Sequence, residues 1–432
     1  MARDFMAGPR VATAQAAADD AFGVELYRAL GVTSGNTVFS PASIAAALRM
    51  ALCGARGQTA SEIAQALHLD GSGTAEAGQA GLRLLSAVAA QGDGGTDLTL
   101  RAPNTMWVQT GYPLLPTFVN LLRDAAAMAV RQADFSSGPD QARAEINGLI
   151  ADQTDGKITD LLGPRTIFGD TRLVLANAIY LKAAWATPFP ERATDDAPFY
   201  PDGRAGTAGA GPGQADGAGA GQADGAGAGA GQADGAGAAA RQSGGTGDGA
   251  LMVRMMRNST DLPYLRGDGY QAVLLPYGDG RLAMAVVLPD GPLATLQPRL
   301  SAHGVGGLLA EATRRRVALT MPKFRLRASF GLVPVLRELG IRSAFDANAD
   351  FSGITAAEGL VINAVAHQAY IDVDEQRTEA AAATAIAMRP LAARRMPDPV
   401  TMTVDRPFLF AIVDTPSGLP LFFGQVTRPD PA

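Results

Sequence analysis

Side chains suited to nucleophilic or acid–base chemistry are scarce in this chain of 432 residues. There are three histidines, His68, His303 and His367, and one cysteine, Cys53. None stands in a catalytic or ligand motif. No Gly-x-Ser-x-Gly elbow occurs, and Asp155-Gly156-Lys157 lacks the glycine-rich lead-in of a phosphate loop. One cysteine and scattered histidines give no zinc-ligand spacing. A Ser-His-Asp triad assembles only in space, and nothing in the chain points to one. His68 and His303 lie beside apparent helix residues, where surface or packing roles suit them. Cys53 sits in an apolar run and reads as a small buried hydrophobe, not a reactive thiol. The most informative chemistry is conformational. After the strand-like Ala369-Tyr370-Ile371-Asp372-Val373 comes Glu375-Gln376-Arg377-Thr378-Glu379, then Ala380-Ala381-Ala382-Ala383-Thr384-Ala385. Alanine normally signals helix. The charges suggest otherwise. Glu375, Arg377, Glu379 and Arg389 fall on odd positions, whereas Thr378, Ala380, Ala382, Thr384, Ile386 and Met388 are uncharged. As a strand, this segment would present one uncharged face of mostly small side chains. Such a face could enter a sheet with a packed core beneath it.

The remaining elements must supply that sheet. An apolar fraction of 47% against 18% charged marks a globular chain able to bury a large core. A net charge of −6 implies neither a nucleic-acid nor a membrane partner. No apolar run reaches membrane-spanning length. Met1-Ala2-Arg3-Asp4-Phe5 lacks the apolar region of a signal peptide, so a cytoplasmic protein is expected, or one exported by an unrecognised route. Residues 1–20 are Ala-rich without a clear apolar face and read as a frayed tail. Helical spacing follows over Phe22 to Leu30. Ser40-Pro41 caps a helix running through Ile44 to Cys53. Further helices are expected over Ile63 to Leu67, Leu114 to Ala127, Gln141 to Leu149 and Val333 to Leu339. Leu98 to Gln109 reads as one strand, and Leu173 to Leu181 as a central strand covered on both faces. Strands then dominate: Ala272 to Pro276, Leu282 to Leu288, Val317 to Arg327, Thr401 to Val404, Phe408 to Val413 and Leu421 to Thr427. Helices mostly first and strands mostly last predict an α+β architecture. Within residues 204–249, Gly-Gln-Ala-Asp-Gly-Ala-Gly-Ala recurs at 213–220, 221–228 and 231–238. With almost no side chain larger than Ala, this tract cannot offset the entropy of ordering. It reads as a disordered insertion in a surface loop.

In order along the chain, several motifs resemble the serpin family, serine protease inhibitors, over roughly 21–429 as a single domain. Asn36-Thr37-Val38-Phe39-Ser40-Pro41-Ala42-Ser43 is similar to the family's helix B entrance. Asn177-Ala178-Ile179-Tyr180-Leu181-Lys182 with Trp185 and Pro188-Phe189 is similar to strand 3A and the breach. Thr154-Asp155-Gly156-Lys157-Ile158 resembles the helix F region, and Pro322-Lys323-Phe324 resembles strand 6A. Arg406-Pro407-Phe408-Leu409-Phe410 and Phe422-Phe423-Gly424 resemble the closing strands. The resemblance implies a serpin fold with three β-sheets, about nine helices and an exposed reactive-centre loop, here 375–399. It implies no catalysis of its own but suicide inhibition of a target serine protease by a monomer. The loop is cleaved, the acyl-enzyme is trapped, and the loop inserts into the main sheet. The native state must then be metastable. A non-inhibitory binding or chaperone-like protein on the same fold is the alternative. No cofactor is implied, and Gly81 to Gln91, with only Arg83, offers no heparin-type face.

Residue roles implied by the resemblance follow. The hinge is Glu375, Arg377, Thr378, Glu379, Ala380, Ala381, Ala382, Ala383 and Thr384, with Thr378 first to insert. The breach holds Lys323, a partner for Glu375, and Trp185. The shutter, where strands part, holds Ser40, Ser43, Asn177 and His367. The family usually has Gly where this chain has Arg377. Counting from the hinge puts the scissile bond at Leu391–Ala392, which suits a chymotrypsin- or elastase-like pocket. Counting back from Arg406 gives Met396, and Arg394 or Arg395 would suit a trypsin- or subtilisin-like enzyme. From Thr378 to Leu391 a strand would run about 45 Å.

Overall fold

The computed structural model describes residues 14–31, 35–69, 74–91, 98–126, 129–203, 249–309, 311–378 and 398–429. Helix α1 spans Ala14–Ala29, so part of the expected frayed tail is helix. Its Asp19 is fully buried against Arg49 of α2 (Pro41–Gly54), and that pair ties the tail to the core. α2 begins where expected. The Ser40 hydroxyl accepts the Ser43 N–H at 3.1 Å, and Pro41 occupies the first turn. Every residue of α2 is buried, which explains its nearly unbroken apolar sequence. α3 (Gly57–Ala66) and α4 (Thr74–Gln91) follow. α4 was not expected from the sequence.

Two segments expected as single strands are each divided. The single strand expected over Leu98 to Gln109 is two, β2 (Leu98–Arg101) and β3 (Asn104–Gln109), divided at Ala102-Pro103 because proline has no N–H for the ladder. Beyond them lie α5 (Pro116–Ala126), β4 (Ala129–Ala133) and α6 (Pro139–Gln153). Then come the long central β5 (Leu173–Ala184), β6 (Asp195–Phe199), β7 (Leu251–Gly267), β8 (Tyr270–Pro276) and β9 (Leu282–Pro289). α7 (Gln297–Leu309) is broken at Gly304, whose φ of 65° glycine adopts without strain. The single strand expected over Val317 to Arg327 is again two, β10 (Thr313–Pro322) and β11 (Phe324–Gly331), which belong to different sheets. The Lys323 N–H still bonds Arg254 O of β7, and from Phe324 onward the chain pairs instead with β12. α8 (Val333–Glu338), β12 (Ile362–Val373), the two-residue β13 (Arg377–Thr378), β14 (Val400–Thr403), β15 (Phe408–Asp414) and β16 (Leu419–Val426) complete the chain.

The strands form an α+β fold with two hydrogen-bonded sheets among the described residues. One runs β11-β12-β5-β3-β4, with β2 and β13 added to β5. The other runs β1 (Thr37–Phe39)-β16-β15-β9-β8-β7-β10-β14, with β6 on β7. The expected second and third sheets are joined, because long β7 pairs with β10 and β6 along its body and with β8 at its end. Alternation along β5 places Leu173, Leu175, Ile179 and Leu181 in the main core, and Val174, Ala176, Ala178 and Tyr180 under α6. β5 is thus buried on both faces, as its continuous apolar run requires. Ala142, Ile146 and Ile150 are the side chains α6 lays on that outer face.

Candidate functional site

The centre of the first sheet carries a row of polar side chains across three strands. The register pairs His367 of β12 with Asn177 of β5, and Asn177 with Asn104 of β3. His367 Nδ1 meets Asn177 Oδ1. Its Nε2 accepts the Ser40 N–H at 3.0 Å, so Nδ1 carries the proton and donates. The Ser43 hydroxyl donates to Asn104 Oδ1 at 3.3 Å. Ser40, Ser43, Asn177 and His367 have no exposed surface. Burial pushes the His367 pKa from 6.5 down to about 3, so the ring is neutral at physiological pH. Asn177 Nδ2 is buried and has no partner. The four expected shutter residues therefore meet, and Asn104 joins them. The sequence signal for Asn104 is weak: one amide at the start of an otherwise buried strand.

Toward the C-terminal end of β5 the arrangement changes. β12 pairs with β5 in parallel as far as Tyr370↔Tyr180. Above that row β13 takes its place on β5, antiparallel, with Thr378↔Ala183 and Arg377↔Ala184. β2 pairs with the other edge of β5 at the same level, so β13 lies on the β12 side. The chain leading into β13 is held closely. Lys323 Nζ lies 2.9 Å from Glu375 Oε2, in a pair whose side chains are 20% and 10% exposed. Burial pushes the Glu375 carboxyl up, but hydrogen bonds from Lys323 and its own backbone N–H outweigh that and hold it below its ordinary 4.5. Trp185 donates its indole N–H to Asp374 O at 2.9 Å and its backbone N–H to Gln376 O at 3.2 Å. Its ring stacks on Tyr277 at 4.4 Å and meets Phe189 edge-on. The Phe189 N–H donates to Glu375 O at 2.7 Å. Lys323, Trp185 and Glu375, far apart in sequence, thus surround the entry to β13.

One contact escapes sequence reasoning. Tyr180 and Tyr370, the last paired row below β13, stand 6.0 Å apart on the outer face. Lys157, in the loop after α6, lies 5.9 Å from both rings, and Arg327 of β11 lies 5.4 Å from Tyr370 while bonding Lys157 O. These cations clasp the two strands where they diverge. Parallel pairing across 190 residues leaves no local pattern to read.

Residues 379–397 lie outside the described residues, and with them Glu379, Ala380, Ala381, Ala382, Ala383, Thr384, Leu391, Ala392, Arg394, Arg395 and Met396. The repeat tract at 204–248 is outside them too. Cys53 is buried, and burial pushes its thiol up to about 11.

The sequence profile described as Serpin (serine protease inhibitor) matches residues 17–207 and 246–429. The chain belongs to the serpin family. It is 32% identical to an uncharacterized serpin-like protein of Thermococcus kodakarensis, covering 95% of this chain and 84% of that one. It is 31% identical to the leukocyte elastase inhibitor of Bos taurus, covering 96% and 99%. Among solved structures, Serpin48 of the insect Tenebrio molitor superposes with a TM-score of 0.75 at 26% identity, covering 96% and 98%.

Proposed function

We propose that this protein inhibits a serine protease by suicide cleavage and insertion of its reactive loop between β12 and β5. The observation that carries the reading is β13: Arg377 and Thr378 of the loop's hinge are already paired antiparallel to β5 at the upper end of its seam with β12. Continuing that register would set Thr384 against Asn177 and Met388 against Leu173, the first residue of β5. Positions 378, 380, 382, 384, 386 and 388 would then fall on the core face with Ala183, Leu181 and Ile179. Those are the uncharged positions. The charged odd positions would fall on the α6 face. Insertion would exchange one parallel pairing for two antiparallel ones and fill the backbone bonds of a whole strand. Thr384 would also bring a hydroxyl to the unpartnered Asn177 amide.

In this reading Glu375–Lys323 and Trp185 hold the hinge, and the His367–Asn177–Ser40–Ser43 cluster keeps the strands together until cleavage. Leu391 serves as bait for an elastase- or chymotrypsin-like pocket, a choice supported by the name of the Bos taurus relative. Mixing with elastase, chymotrypsin, trypsin and subtilisin should give an SDS-stable complex with at least one. Cleavage mapping should place the bond at Leu391–Ala392. Thr378→Arg puts a charge on the core-face register and should convert inhibitor into substrate, with cleavage but little complex. Degradation by all four enzymes, without complex, would overturn the proposal. It would favour the non-inhibitory binding or chaperone-like reading, for which Arg377 at the hinge is the motive.

A further inference from the structure

Strand β10 opens with Thr313-Arg314-Arg315-Arg316, all four residues exposed. β14 pairs with β10 only from Val317↔Val400 onward, so these residues precede the point where the reactive loop returns to the sheet. The other arginines nearby have aspartate partners. Arg254, Arg257 and Arg266 of β7 pair with Asp196, Asp195 and Asp290. Arg316 stands 3.9 Å from Asp261. Glu311 precedes the cluster along the chain, and Asp398 precedes Val400, the first β14 residue paired with β10. Among the described residues neither is in ion-pair contact with Arg314 or Arg315, which have no acidic partner. The cluster is basic on a molecule of net charge −6. A local patch of opposite sign to the whole orients an approaching charged partner instead of attracting it at large.

We propose that Arg314, Arg315 and Arg316 form an auxiliary docking surface for an acidic face of the target protease. The inference rests on the inhibitory reading above and adds the charge of the partner to it. The patch flanks the C-terminal root of the loop, so a protease engaging the bait can meet it at the same time. Its contribution is to the encounter rate, through steering, and weakens with salt. Three charged side chains would also guard a free sheet edge against strand addition. That role needs charge of either sign; docking needs positive charge.

The experiment uses whichever protease of the panel is trapped fastest, alone and with its surface lysines succinylated, which makes its surface acidic without changing its specificity pocket. The readout is the second-order rate of SDS-stable complex formation at low salt. The wild type should trap the succinylated enzyme about tenfold faster than the unmodified one, an advantage lost at high salt. In Arg314→Gln/Arg315→Gln the advantage should shrink, and in Arg314→Glu/Arg315→Glu it should reverse, with the same number of inhibitor molecules consumed per complex. An advantage absent from the wild type, or unchanged in the Glu variant, overturns the docking surface and leaves the inhibitory reading standing. No complex with either form of any protease overturns both.

Discussion

The buried polar row and the hinge end lie on the same two strands, but they are built from opposite chemistry. At the row, His367, Asn177, Asn104, Ser40 and Ser43 are neutral and almost wholly buried, and they bond strand to strand and sheet to α2. At the hinge end a partly exposed ion pair, Lys323–Glu375, and the buried indole of Trp185 hold a short stretch of backbone. A neutral buried network is unaffected by salt but costly to break, because each lost partner strands a group away from water. An ion pair near solvent is cheaper to open and is screened. Under the proposed insertion the difference sets an order of events: opening would start where the contacts are charged and partly exposed, and stall where they are neutral and dry.

The largest expected effect comes from His367→Ala. It strands the Ser40 N–H and the Asn177 side chain together and should cost about 2–5 kcal/mol in urea unfolding followed by tryptophan fluorescence. A cost below about 0.5 kcal/mol would break the comparison.

Acid should separate the regions without mutation. The folded pKa of His367 is depressed, so its contribution is complete above 6.5 and lost as pH falls toward about 3. Each unit in that window removes up to about 1.4 kcal/mol. Glu375 is depressed too, but its contribution is intact above 4.5 and lost only below it. Unfolding free energy should therefore fall between about pH 6.5 and 5 in the wild type and less steeply in His367→Phe. Parallel slopes would assign the loss to other groups.

A smaller effect is expected at the hinge. A double-mutant cycle of Lys323→Met and Glu375→Gln should give a coupling of about 1 kcal/mol that declines as salt rises. Hydrogen exchange should quicken at Glu375 to Thr378 and stay unchanged at Asn177. Exchange that quickened equally at both would mean one cooperative unit. The smallest effect is expected from Lys157→Met, which removes the cation shared by Tyr180 and Tyr370 and should cost about 0.5–1 kcal/mol. A neutral result would remove the clasp from the list of restraints on strand separation.

Much of this was legible in the chain. The odd–even charge pattern of 375–389 describes a strand with one core-compatible face, whatever fold surrounds it. The register of β13 then says which face that is, since Thr378 shares a row with buried Ala183. The Ser40-Pro41 start of α2 was readable from cap chemistry, and the apolar β5 from its composition. The breaks at Ala102-Pro103 and Lys323 were missed because apolar content alone was followed across them. α4 was missed because its Gly and Ala positions blur helical periodicity.

What the sequence determined by itself is local: helix caps, strand alternation, and a loop with the faces of an unplaced strand. What only the tertiary structure decided is which distant residues share a row. His367 meets Asn177 and Tyr370 meets Tyr180 through a parallel pairing that no local rule specifies, and Asn104 enters from a third strand. Side chains of a single strand repeat every two residues, but the register between strands is set by the whole core that packs against both faces.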